Sequence, residues 1–98
     1  MSERKIYDPG LVRVGELIAE KRKSLGYKYH NRETFIALRS EELFGGEPWI
    51  SHRHLANLEL GKNWISIEKL LLLAAALEET PVDLFEEIIY TYQRFKRK

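Results

Sequence analysis

The sequence predicts an all-α fold, a compact five-helix bundle, on three observations. Five segments carry apolar residues at helical spacing, and each opens on a capping residue. No segment alternates apolar and polar residues cleanly, so no sheet is expected. The chain has 98 residues and no cysteine. It therefore makes one small domain stabilised by packing, without disulfides, cysteine-ligated zinc or thiol chemistry.

Residues 1–8 are polar and predict a flexible N-terminal segment. At its end, Asp8-Pro9 supplies an N-cap carboxylate and a proline for the first helical position. Leu11, Val14, Leu17, Ile18 and Leu25 follow at helical spacing, and Gly26 stops the helix, predicted over 9–25. After a Tyr27–His30 connector, Asn31 caps a second helix carrying Phe35, Ile36, Leu38 and Leu43. Gly45-Gly46 ends it and Pro48 prevents its resumption. Ser51 caps a third, short helix to about Leu60, closed by Gly61. Ser66 caps a fourth, whose Leu70–Leu77 run is apolar nearly all round and must be central. Thr80-Pro81-Val82-Asp83 opens a fifth with a capping threonine, a proline and an acid. Its stripe is Leu84, Phe85, Ile88, Ile89, Tyr92 and Phe95, and residues 91–98 form a basic end.

The composition excludes several classes of function. With 44% hydrophobic residues the chain is not of disordered type. No apolar run is long enough to span a bilayer, and no apolar segment follows the first residues as in a secretory signal. No membrane partner and a cytoplasmic location are therefore expected. Sixteen basic residues against fifteen acidic ones give a net charge of +1, which excludes a polybasic coat protein.

The third helix carries the chemistry. Leu55 and Leu58 share a face that must point inward. Glu59 lies on or beside that face, where a carboxylate is costly unless paired with a cation. The other face carries His52, Arg53, Ala56 and Asn57. Arginine can read guanine and asparagine adenine, and a small alanine lets a helix approach bases closely. Ser51 stands at the helix N-terminus, where free N–H groups favour a phosphate. A merely solvated surface carries the same residue types. His52 and His54 point about 200° apart on a helix, so no metal site is expected there. Trp49 and Trp64 flank the helix and read as lids on the core. No activated nucleophile or carboxylate pair is evident, so neither an enzyme nor a cofactor is expected.

Ile50-Ser51, Leu55, Leu58-Glu59 and Gly61 together resemble the second half of a lambda-repressor/Cro-like (XRE family) helix-turn-helix. Val14–Gly26, Ser66–Leu77 and Pro81–Phe85 are similar to the family's first helix, its fourth and the start of its fifth, so the resemblance spans roughly residues 10–90. It implies a DNA-binding domain over 9–90 and a sequence-specific, repressor-like transcriptional regulator. His52, Arg53, Ala56 and Asn57 would meet bases; Ser51, Arg32, Lys62 and Asn63 would meet phosphates. It also implies that Arg22 is the cation for Glu59. The partner would be double-stranded DNA, as an inverted repeat bound by a homodimer, with the stripe Leu84, Ile88, Tyr92 and Phe95 supplying the dimer contact. The alternative is a protein-interaction or antitoxin-like module on the same fold. The chain departs from the pattern over 27–49. Twenty-five positions separate Gly26 from Ser51, roughly a dozen more than a short second helix and the tight turn of a helix-turn-helix occupy.

Overall fold

The computed structural model describes residues 8–96. It consists of α1 (Pro9–Ser24), a 3-10 turn (Tyr27–Tyr29), α2 (Arg32–Leu43), α3 (His52–Glu59), α4 (Ile67–Ala76) and α5 (Pro81–Phe95), with no strand among the described residues. Of the residues expected to be flexible, 1–8, residues 1–7 lie outside the described range, as do the last two basic residues, whereas Asp8 is the ordered N-cap of α1.

Local chemistry starts each helix. Asp8 Oδ1 accepts from Gly10 N at 2.9 Å, Asn31 Oδ1 from Thr34 N at 3.1 Å and Ser51 Oγ from His54 N at 3.0 Å. Ser66 Oγ accepts from Lys69 N at 3.2 Å and Thr80 Oγ1 from Asp83 N at 3.1 Å. Each side chain satisfies an N–H that has no partner within its own helix.

The core gathers on α1. α1 packs on α5 and α3, and α4 packs on α5; Leu11, Val14 and Ile18 of α1, Leu84 and Ile88 of α5, Leu55 and Leu58 of α3, Leu70 and Leu73 of α4 and the capping Leu77 are all buried in one cluster. Packing continues along α5 beyond residue 90. The Tyr92 hydroxyl donates to Asp8 Oδ2 at 2.6 Å, and the Arg13 guanidinium stacks 4.2 Å from the Phe95 ring. The last turns of α5 are therefore fastened to α1.

The long segment between α1 and α3 builds a second, aromatic part of the core. Tyr29 meets Phe35 edge-on, and Trp49 packs on both Phe35 and Phe44, at 5.8 and 5.1 Å between ring centres. Trp49 Nε1 donates to the Ile36 carbonyl at 3.0 Å, and Lys69 Nζ donates to the Trp49 carbonyl at 2.6 Å. The α2–α3 connection is thereby held to α2 on one side and α4 on the other. Trp49 is a lid on the core; Trp64 is 40% exposed and leans on Tyr92 at 4.7 Å.

Candidate nucleic-acid interface

The back of α3 is fixed by charge as well as by leucine. Arg22 and Glu59 are both buried and form a two-pronged pair, Nε to Oε2 at 2.7 Å and Nη2 to Oε1 at 2.8 Å. Such parallel bonds fix orientation as well as distance. Arg22 Nη1 also donates to the carbonyls of Tyr29, at 3.0 Å, and His30. One arginine of α1 therefore organises the end of α3 and the 3-10 turn together.

Arg32 is a second cation on the same carboxylate, its Nε donating to Glu59 Oε1 at 2.7 Å. The resemblance implies a phosphate contact for Arg32 and no contact with Glu59; its side chain reaches inward to Glu59 while staying 30% exposed. Two arginines on one carboxylate leave one net positive charge beside the N-terminus of α2. A signal for this was present. A cation in a helix's first turn opposes the dipole and calls for a tertiary partner. Lys69, in the first turn of α4, carries the same signal and finds the Trp49 carbonyl.

The outward face of α3 presents the expected side chains. His52, Arg53 and Ser51 are exposed, while Ala56 and Asn57 are half-buried. Ser51, Arg53, His54 and Asn57 line a shallow depression closed by Asn63, which brings Asn63 beside the α3 face. Lys62 is half-buried, and its amide donates to the Asn57 carbonyl at 2.9 Å, so the loop after α3 continues its last turn. His54 sits at the edge of this depression. Burial, and secondarily the Lys69 ammonium, hold its pKa below the ordinary histidine value. Among the described residues, no group of three or more histidines and carboxylates is placed to hold a metal.

The assignment of the α5 stripe to a dimer contact is corrected by the packing. Leu84 and Ile88 are 0% and 2% exposed within the single chain. Tyr92 is engaged by Asp8 and Trp64, and Phe95 by Arg13. The stripe closes the core, because α1 needs a covering helix and α5 supplies it. Periodicity shows that a helix face is buried without showing what buries it.

The acidic residues cluster elsewhere. Glu78, Glu79, Asp83, Glu86 and Glu87 line the α4–α5 turn and the start of α5. Lys21 pairs with Glu79 and Glu87, and Arg39 with Glu78. No acid lies on the exposed face of α3. No helix among the described residues is long and apolar enough to cross a membrane.

Compared with known proteins, the chain matches no family model, no curated protein and no solved structure.

Proposed function

We propose that this protein is a sequence-specific DNA-binding domain of the lambda-repressor-like, helix-turn-helix type, acting as a cytoplasmic transcriptional regulator. The observation that carries the reading is α3. Its inner residues are locked by Leu55, Leu58 and the Arg22–Glu59 pair, and its outer face offers Arg53, Asn57 and the small Ala56. A rigid helix with a polar, acid-free outer face has the requirements for entering a major groove. Arg53 and Asn57 would read base edges, with His52 beside them. Ser51 and Lys62, at the two ends of α3, and Asn63 beside it would hold phosphates and set the register. Arg32 would contribute the excess charge of the pair it shares rather than a free guanidinium. Two copies on an inverted repeat would double the otherwise small set of contacts.

The net charge of +1 predicts a modest electrostatic contribution and a correspondingly shallow dependence on salt. Selection of bound duplexes from a random pool at low salt tests the reading. Enrichment of a defined sequence supports it; absence of any duplex binding at low salt overturns it.

A further inference from the structure

Ser51, Arg53, Asn57 and Asn63 are polar walls of the depression on α3, and His54 is the fifth. His54 differs from the other four in being able to change its charge near neutral pH. Arginine is always a cation there, and serine and asparagine never are.

Its surroundings disfavour the cation in the free chain. His54 is half-buried, whereas His52, two residues earlier, is exposed. Burial, and then the Lys69 ammonium of α4, act against the imidazolium. Lys69 is held in place, because its Nζ donates to the Trp49 carbonyl at 2.6 Å. α3 itself adds Arg53, and the loop after α3 adds Lys62. Glu68 of α4 is exposed, and no carboxylate contributes to holding the ring. α2 meets α3 at its far end, where Glu59 is taken by Arg22 and Arg32. The first turn of a helix also opposes a cation through its dipole.

A DNA phosphate supplies the anion that this setting lacks. A negative charge within about 4–6 Å moves the titration of a neighbouring group by about 1–3 pH units in favour of its cation. The depression belongs to the α3 face that would meet the duplex, and its walls include Ser51 and Asn63.

We propose that His54 is a further phosphate contact, which takes a proton from solvent as the DNA backbone enters the depression, so that DNA affinity rises as the pH falls. This rests on the DNA-binding reading of α3. The coupling is reciprocal: the duplex favours the imidazolium by the factor by which the imidazolium favours the duplex. One linked proton limits the change to about tenfold per pH unit. Affinity is flat where the ring is neutral both free and bound, and levels off again where it is protonated in both.

Titrations of a selected duplex from about pH 8 to about pH 6, at fixed low salt and with the fold followed by circular dichroism, test the proposal. Binding should tighten by about fivefold across that range. His54→Gln should remove most of the change, and His52→Gln should keep it whatever it does to the affinity itself. In the unaltered chain, the His54 ring signals followed by NMR should titrate at higher pH with the duplex bound than without it. A ring that titrates at the same pH in both states overturns the proposal, and so does a His54→Gln chain that tightens as the unaltered one does. Binding that ignores pH overturns this coupling alone. Absence of binding to any duplex at every pH overturns the functional reading, and the coupling with it.

Discussion

The carbonyl oxygen of Leu58 lies 2.7 Å from where a side chain on Gly15 would begin. The Glu59 carbonyl presses on the same point, so the last turn of α3 rests on the bare backbone of α1. The angle of the proposed reading helix is therefore set by a missing methyl group as much as by the ion pair beside it.

Gly15→Ala should destabilise the protein by about 1–3 kcal/mol, the usual range for forcing atoms into a filled contact. In an exposed helix interior the same change stabilises by about 1 kcal/mol. Urea denaturation decides between the two signs, and the expected midpoint lies below that of the unaltered chain.

Removing Glu59 should be far more damaging than removing its second cation. Glu59→Ala leaves Arg22 buried without a carboxylate, a change that costs about 3–5 kcal/mol. Arg32→Ala leaves the Arg22–Glu59 pair intact and removes a partly solvated contact, for about 1 kcal/mol or less. Thermal unfolding of the two variants side by side measures the difference. Equal losses would show that Arg32 alone carries the worth of the Glu59 carboxylate, and would overturn the primacy of Arg22.

Two substitutions separate base reading from phosphate holding. Arg53→Ala should relax preference at one base position, by about 1–3 kcal/mol, with little change in salt dependence. Lys62→Ala should weaken all duplexes alike and reduce the salt slope by about 1. Titrations at several salt concentrations against a selected site and a scrambled one measure both effects.

His54 should make the fold sensitive to mild acid. Burial, and then the Lys69 ammonium, lower its pKa in the folded state, so the unfolded chain takes up the proton first. Stability should therefore be complete above about pH 6.5, the unperturbed histidine value, and fall as the pH drops below it. The loss should level off once the folded state is also protonated. His54→Gln should flatten that part of the profile, measured by denaturant midpoints from pH 7.5 to 5.

Much of the fold was legible because helix starts are local events. Asp8, Asn31, Ser51, Ser66 and Thr80 each bond an amide two or three residues away, and that chemistry needs nothing from the rest of the chain. The Arg22–Glu59 pair was half legible: the need for a cation follows from the position of Glu59 beside Leu55, while its identity came from resemblance. Arg32 joins Glu59 across 27 residues, and no local pattern carries that distance. The α5 stripe shows the same boundary. Spacing marked Leu84, Ile88, Phe85 and Ile89 alike as apolar, and only the seating of α5 on α1 divides them into covered and uncovered pairs.

Trp49 has a consequence for how such a domain tolerates change. It grips the Ile36 carbonyl and stacks on Phe35 and Phe44, so the strand of chain between α2 and α3 is moored at its far end, directly before α3. Residues inserted or deleted around Gly45 and Gly46 act upstream of that mooring, and each doubling of a loop costs only about 0.6 kcal/mol in closure entropy. The length of this segment can drift in evolution while the helix behind it keeps its pose.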